Sequence, residues 1–154
     1  MDKVRIGILG AYRGTSMINY CEVSKNAKVV AICDKSDVAI ETQKENLKDP
    51  DITYYMDFED FIKHDMDAVV LANYANEHAP FAIRCMNEGK HVFSEVLPVQ
   101  TMKEAVELVE TVEKTGKIYA YGENYCYMPG TYEMKKLYEQ GIVGELEYAD
   151  AEYI

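Results

Sequence analysis

The chain has 154 residues, and its 27 acidic and 16 basic side chains give a formal net charge of −11. This length allows one domain with a sizeable core but not a two-domain enzyme. The acidity disfavours nucleic acid and anionic membranes as partners, and no apolar run is long enough for a membrane span.

The first predicted elements form one unit at the N-terminus. Val4 to Leu9 is an apolar, strand-like run, and residues 10–14 follow as a glycine-containing turn. A helix comes next, and then a second apolar run over Val29 to Cys33 that ends at Asp34. This order is typical of a dinucleotide-binding βαβ unit, in which the turn and the helix N-terminus approach a pyrophosphate and the distant carboxylate binds a ribose diol.

The glycine turn departs from the usual Gly-x-Gly-x-x-Gly pattern. That pattern would place glycines at 10, 12 and 15, but Tyr12 and Thr15 stand there, and Gly14 comes one residue early. Tyr12 must direct its ring away from a pyrophosphate, or it would block the approach of the backbone. Arg13 could pair with a phosphate oxygen or remain a solvated surface arginine.

Asp34 and Lys35 bear on the choice of cofactor. A carboxylate at position 34 repels a 2′-phosphate and so favours NAD over NADP, whereas Lys35 could serve such a phosphate and weakens that preference. The alternative reading of Asp34 is that it leads into a helix capped by Ser36.

The later elements alternate between strand and helix. Gly89 and Gly116 are the predicted helix terminators, and Thr101 with Glu104 has the spacing of a capping box. The predicted helices begin near Ser36, Asp57, Glu77, Thr101 and Pro129, and the predicted strands cover 52–55, 68–72, 91–93 and 118–121. The predicted fold is therefore α/β, with a doubly wound, mainly parallel sheet and helices on both faces.

The final segment differs from the rest of the chain. Residues 145–154 alternate in polarity, with Leu146, Tyr148 and Ile154 on one face. This pattern predicts the opening strand of a further sheet. An unpaired strand edge invites association, which suggests a homo-oligomer formed through the terminal strand.

The cysteines and histidines show no metal-ligand spacing. None of the four cysteines forms a Cys-x-x-Cys pair, and the three histidines are scattered. We therefore expect no metal site, and we expect reduced thiols in a cytoplasmic protein.

A set of short motifs resembles the glucose–fructose oxidoreductase and inositol dehydrogenase (Gfo/Idh/MocA) family. The motifs lie in order over residues 6–10, 31–34, 67–72, 78, 89–92, 123–125 and 141–145. The resemblance implies a dinucleotide-binding Rossmann domain over residues 1–122. Residues 123–154 would then be a connecting segment and the stub of a C-terminal α+β substrate domain.

The chain departs from the family at the Glu-Lys-Pro motif that follows the fifth strand. Glu95 matches, but Val96 replaces the lysine and Leu97 the proline, and valine cannot donate a proton. Together with residues 123–127, Glu-Asn-Tyr-Cys-Tyr, this variant resembles a branch that includes NAD-dependent glycosidases. In that branch, bound NAD transiently oxidises the sugar.

The resemblance adds candidate residues to those of the turn. It places Asn73 and Tyr74 near the cofactor, although an ordinary strand-end turn is the alternative. For His78, packing or capping is favoured over catalysis, and Asn124 is expected to line the nicotinamide side. The complete set of predicted cofactor-binding residues is Gly10, Ala11, Tyr12, Arg13, Asp34, Lys35, Asn73, Tyr74, His78, Glu95 and Asn124.

The expected function is that of an NAD(P)-binding domain, with NAD favoured, in an oxidoreductase acting on a sugar or polyol. In the family, substrate residues come from the second domain, so we expect this chain alone not to be catalytically competent, and no catalytic residue is assigned. One alternative is the NAD-binding part of a redox-assisted glycosidase. The other is a non-catalytic cofactor-binding or association module.

Overall fold

The computed structural model describes residues 2–152, and the chain divides after Gly122 into two compact units. In the first unit the strands are β1 Val4–Leu9, β2 Ala27–Cys33, β3 Thr53–Tyr55, β4 Ala68–Leu71, β5 His91–Ser94 and β6 Tyr119–Tyr121. The helices are α1 Thr15–Val23, α2 Asp37–Leu47, α3 Phe58–Phe61, α4 His78–Asn87 and α5 Met102–Thr115, with a 3₁₀ turn over Ala75–Glu77 before α4.

All six strands belong to one parallel sheet with the order β3-β2-β1-β4-β5-β6. The chain builds outward from β1 to one edge and then returns to β4 on the other side of β1. This order is that of the doubly wound Rossmann fold, and it confirms the predicted fold class. It also creates a switch point beside β1, where ligands of such sheets bind.

The core lies on both faces of the sheet. One cluster includes Phe61, Met86 and Leu108, which come from α3, α4 and α5. The other includes Ile18 of α1 and Ile40 of α2. Because helices cover both faces, the central strands read as continuous apolar runs rather than as alternating ones.

Local signals place the helix ends as predicted. Ser36 accepts a hydrogen bond from the backbone N–H of Ala39, and Asp57 caps α3 in the same way. Thr101 and Glu104 form the predicted capping box at the start of α5. Each cap satisfies N–H groups that the first turn of a helix leaves without a partner.

The sequence pattern predicts that Ala105, Leu108, Val109 and Val112 form one buried stripe on α5, and the structure differs at one position. Leu108 is buried as expected, but Val109 is 56% exposed and Thr111 is buried instead. The Thr111 hydroxyl donates to the carbonyl oxygen of Glu107 at 2.7 Å, so its burial leaves no unpaired polar group. The prediction included Val109 because its side chain is apolar, and it gave less weight to the angular position of the residue around the helix axis.

The second unit contains a 3₁₀ turn over Tyr125–Tyr127 and helix α6 over Pro129–Glu139. The sequence pattern predicts that Met134, Leu137 and Tyr138 of this helix face inward, but Met134 and Tyr138 are 70% and 50% exposed. No strand forms over residues 145–152, where the sequence predicts one, and residues 153 and 154 lie outside the described part. A strand requires a partner for its backbone hydrogen bonds, and this unit supplies none in its described residues.

Candidate functional site

A cleft of about 920 Å³ opens at the carboxyl ends of β1, β2 and β4. Its walls come from the glycine turn after β1, the start of α2, the β3–α3 connection and the segment after β4. The lining residues used below are Gly10, Tyr12, Arg13, Asp34, Lys35, Asn73, Tyr74 and Glu77. A crevice at the switch point of a parallel sheet is the usual ligand site in this architecture.

Gly10 allows the turn to approach the neighbouring strand closely. Its φ is +101°, and a Cβ at this position would lie 2.3 Å from the carbonyl oxygen of Ala72. Any other residue would meet both backbone strain and a steric clash. Because Gly10 has no side chain, the backbone of the turn is accessible to a ligand at the mouth of the cleft.

Gly14 takes the role that the usual pattern gives to its third glycine. A Cβ there would lie 2.4 Å from Cγ2 of Ile8, so its absence lets α1 pack against β1. Its N–H donates to the carbonyl oxygen of Gly10 at 2.9 Å. The glycine that stands one residue early in the sequence thus still serves helix–strand packing.

Two backbone donors of the turn have no acceptor. Within residues 2–152, nothing accepts a hydrogen bond from the N–H of Tyr12 or Arg13. These donors lie directly before α1, whose N-terminus carries partial positive charge. Free N–H groups at a helix N-terminus suit an anion such as a pyrophosphate, so the turn fits a dinucleotide.

Asp34 connects the second strand to the turn. Its Oδ2 accepts a hydrogen bond from the N–H of Ala11 at 2.7 Å, and its Oδ1 accepts one from Ser36 at 2.9 Å. An ionised carboxylate has about four acceptor positions, so each oxygen retains a free one. Asp34 can therefore hold the turn and accept ribose hydroxyls together. Its contact with Ser36 also fits the alternative reading, in which it leads into α2.

Gln43 is a residue of this region that the sequence reasoning missed. It is buried on α2, and its Nε2 donates to the carbonyl oxygen of Ala11 and to Oγ1 of Thr15, each at 3.0 Å. Gln43 thereby fixes the turn from the side opposite Asp34. The signal that could have found it is its position three residues after the buried Ile40, on the inward face of α2.

Two ion pairs connect separate elements beside the cleft. Arg13 of the turn pairs with Glu95, which follows β5, at 2.8 Å. Lys35 pairs with Glu77, at the end of the 3₁₀ turn, at 3.1 Å. The hydrogen bond from Arg13 to Glu95 raises the pKa of Arg13, so this side chain is a permanent cation. Glu77 is another residue that the sequence analysis did not single out.

The segment after β4 contributes both polar and aromatic groups. Asn73 donates from Nδ2 to Glu77 at 3.2 Å, and its buried Oδ1 has no partner among the described residues. Tyr74 and Tyr12 both line the cleft and are 75% and 82% exposed. Exposed rings of this kind offer apolar surface and a polar tip to a bound molecule.

His78 supports the cleft from behind rather than lining it. It is buried, and its Nδ1 and Nε2 lie 2.9 Å and 3.3 Å from the carbonyl oxygens of Leu97 and Asn73. A neutral imidazole carries one N–H and can donate to only one of these oxygens. The ring thus connects the segment after β5 to the segment after β4.

The structure brings most of the predicted site residues together. Seven line the cleft: Gly10, Tyr12, Arg13, Asp34, Lys35, Asn73 and Tyr74. Ala11, His78 and Glu95 lie behind these residues and contact them, while Asn124 belongs to the other unit and precedes its 3₁₀ turn.

One thiol, that of Cys33, lies among the residues that line the cleft. Burial raises the pKa of the Cys33 thiol to about 12, so this lining residue stays protonated and unreactive at neutral pH.

Within residues 2–152, no group of three or more His, Cys, Asp or Glu side chains is arranged to hold a metal ion. Over the same residues, no helix has both the length and the apolar character needed to cross a membrane.

Comparison with known families gives one match that covers most of the chain. Residues 4–123 match the model of the Gfo/Idh/MocA oxidoreductase family, described as an NAD-binding Rossmann fold. The matched residues contain the whole sheet and the cleft.

Curated relatives extend the similarity over the full chain. Glycosyl hydrolase family 109 protein 2 from Shewanella sp. (strain ANA-3) is 31% identical over an alignment of 163 positions, gaps included. A family 109 protein from Shewanella amazonensis is 32% identical over the same length. The alignments cover 100% of this chain but only 36% of each relative, so the chain spans about a third of their length.

Solved structures share the fold. Myo-inositol 2-dehydrogenase from Lactobacillus plantarum superposes with a TM-score of 0.84 at 23% identity, over 94% of this chain and 43% of that protein. Scyllo-inositol dehydrogenase from Lactobacillus casei, solved with NAD(H) and scyllo-inositol, gives 0.83 at the same identity and coverage.

Proposed function

Because this chain belongs to the Gfo/Idh/MocA oxidoreductase family and contains its NAD-binding Rossmann domain, we propose that the cleft beside β1 is where the cofactor lies. The free N–H groups of Tyr12 and Arg13 hold the pyrophosphate. Asp34 accepts the hydroxyl groups of the adenosine ribose, which favours NAD over NADP. The observation that carries the proposal is the bare glycine turn, with two unpaired donors at a helix N-terminus.

The remaining predicted residues complete this arrangement. Asn73 and Tyr74 form the wall of the cleft that follows β4. Ala11, His78 and Glu95 position the residues that touch the cofactor. Asn124 is proposed to face the nicotinamide, on the strength of the family resemblance alone. When bound, the nicotinamide supplies or accepts a hydride, and the protein residues named here bind and orient it.

Calorimetric titration of the chain with NAD and with NADP tests cofactor binding. We expect NAD to bind more tightly, and Asp34→Ala to weaken NAD more than NADP. The matched control is Asp65→Ala, at an exposed aspartate that pairs with Arg5 away from the cleft. Absence of heat and of a thermal shift at millimolar NAD would refute the proposal, and equal losses for both cofactors would refute the role of Asp34.

We propose a sugar or polyol as the substrate class of the protein to which this domain contributes. The support is a structural neighbour solved with NAD(H) and scyllo-inositol. Val96 occupies the position of the family lysine, and its side chain carries no proton to transfer. An acid–base group for a net oxidation would therefore come from a residue other than Val96.

A second candidate function, redox-assisted glycoside hydrolysis, is favoured by the relatives that align over the whole chain, which are family 109 glycosyl hydrolases. The two functions differ in their products. A full-length relative that carries the Val96 variant should release free sugar from an aryl glycoside without net NADH if it is a glycosidase. Accumulation of NADH with an intact glycoside would favour the dehydrogenase.

A further inference from the structure

Glu77 is held at a fixed place between two elements of the cleft. Its Oε1 lies 3.1 Å from Nζ of Lys35, which follows β2, and its Oε2 accepts a hydrogen bond from Nδ2 of Asn73, which follows β4. The Glu77 side chain is 29% exposed, whereas that of Lys35 is 75% exposed. The carboxylate is therefore the more buried member of the pair, and it is held by a second partner, Asn73.

This contact removes the cation that stands next to the ribose-binding carboxylate. Of the residues lining the cleft, Arg13 and Lys35 are the two cations, and each pairs with a glutamate. The cleft is also lined by four carboxylates, Asp34, Asp57, Glu59 and Glu77. Two of these carboxylates are themselves paired, Glu59 with Arg84 and Glu77 with Lys35. A ligand with additional negative charge near Asp34 thus meets more carboxylates than cations in the cleft lining, and no unpaired lysine.

We propose that Glu77 is a specificity-determining residue that disfavours NADP in this cleft. It holds Lys35 away from the place of a 2′-phosphate and adds a negative charge of its own. The inference rests on the proposed function, since it requires the adenosine ribose to lie at Asp34. The sequence pattern assigns the discrimination between NAD and NADP to Asp34 and Lys35 alone. We assign part of it to Glu77, which lies 43 positions after Asp34 in the sequence.

The size of the effect follows from the exposure of the pair. An exposed ion pair is weak and screened by salt, so breaking it adds little to the cost of binding. The repulsion between the anchored carboxylate and a phosphate acts over a few ångströms at the protein surface. Removing the charge of Glu77 should therefore change the NADP-to-NAD affinity ratio by about threefold to tenfold.

The experiment compares dissociation constants for NAD and NADP in the unsubstituted chain and in Glu77→Gln. Glutamine keeps the size of the side chain and an oxygen that can accept from Asn73, but it releases Lys35. We expect the affinity ratio to shift toward NADP by about threefold to tenfold, and less at high salt. Glu107→Gln, which removes the charge of the glutamate paired with Lys103 on α5, is the matched control and should leave the ratio unchanged.

A double variant separates the two parts of the proposal. In Lys35→Ala/Glu77→Gln the gain in NADP affinity should be smaller than in Glu77→Gln, because the released lysine is absent, but part of it should remain, because the charge of Glu77 is removed as well. An unchanged ratio in Glu77→Gln, or a gain that persists fully in the double variant, would overturn the inference. A parent chain that binds neither cofactor would instead refute the proposed function, so the two failures are distinguishable.

Discussion

At the scale of single residues, the glycine turn depends on two positions that lack a Cβ, Gly10 and Gly14, and Gly10 is the one with a positive φ. Gly10→Ala would place a Cβ 2.3 Å from a backbone oxygen at a positive φ, so we expect a loss of at least about 2 kcal/mol in the free energy of unfolding, together with loss of NAD binding. Urea denaturation and calorimetry measure the two effects.

Gly89→Ala is the control for that experiment. Gly89 has φ +78°, but nothing lies within 4 Å of its ideal Cβ, so alanine there meets backbone strain without a clash. We expect a cost of about 1 kcal/mol and unaltered NAD affinity. Equal destabilisation by the two substitutions would show that the contact with the carbonyl oxygen of Ala72 does not constrain the turn.

Acid stability also depends on a particular residue. Hydrogen bonds from the Arg5 side chain and backbone lower the pKa of Asp67 to about 2, from an ordinary value of 3.8. A lowered carboxyl pKa stabilises the fold above the unfolded-state value, and this contribution is lost as the pH falls from about 4 to about 2. We expect Asp67→Asn to be less stable than the parent at neutral pH and to show a shallower loss of stability over that range.

Urea titrations at several pH values would measure this difference. Asp60→Asn, at a more exposed aspartate paired with Lys63, is the control and should retain the parent slope. The Asp67 side chain is 41% exposed, so solvent screens its ion pair with Arg5 and weakens the pH dependence. We therefore expect the number of protons taken up on unfolding to differ by less than one between the parent and Asp67→Asn. Parallel pH profiles for the parent and Asp67→Asn would contradict the assignment.

The site illustrates what sequence can and cannot predict about residues. Gly10 and Asp34 were predictable, because the turn and the carboxylate are local signals at a known separation. Gln43 and Glu77 were not singled out, because their importance comes from partners 32 and 42 residues away in the sequence. Such partnerships are set by how α2 and the 3₁₀ turn pack on the sheet.

At the scale of elements, helix α5 offers a direct test of its capping box. Thr101 accepts from the N–H of Glu104, and the Glu104 side chain accepts from the N–H of Thr101. Thr101→Ala removes the first of these bonds, so we expect a loss of about 1 kcal/mol in urea denaturation. Thr42→Ala, at an exposed position within α2, removes a hydroxyl that donates to the carbonyl oxygen of Val38 inside the same helix and should cost less.

Element boundaries were predicted well where a cap or a terminating glycine marks them. Ser36, Asp57, Thr101 and Gly116 all stand where the helices begin or end. The prediction was wrong where it depended on packing partners: Val109, Met134 and Tyr138 are exposed despite their apolar side chains. Apolar character alone does not bury a residue, since a neighbouring surface must also be present.

At the scale of the whole molecule, the first unit contains the entire hydrophobic core. Every buried apolar residue of the described chain precedes Gly122, with Leu108 the last of them. We therefore predict that residues 1–122 fold without the remainder, with a urea midpoint close to that of the full chain. Circular dichroism and urea titration of this fragment would test the prediction, and loss of cooperative unfolding would contradict it.

The fold class was predictable as a whole because a parallel sheet with helices on both faces leaves a strong pattern. Short continuous apolar runs alternate with amphipathic helices over most of the chain, and few topologies accommodate that order. The separate second unit leaves no comparable pattern. Its alternating segment over residues 145–152 forms no strand, since alternation predicts a strand only where a partner is available.

The strand order also has a consequence for the chain during its synthesis. β1 pairs with β2 on one side. Its other edge stays unpaired until β4 is synthesised, and β4 begins about 35 residues after β2 ends. At about 5–20 residues per second, a ribosome leaves that apolar edge open for roughly two to seven seconds. During this interval the nascent chain presents a bare strand edge of the kind that chaperones recognise and that aggregation exploits.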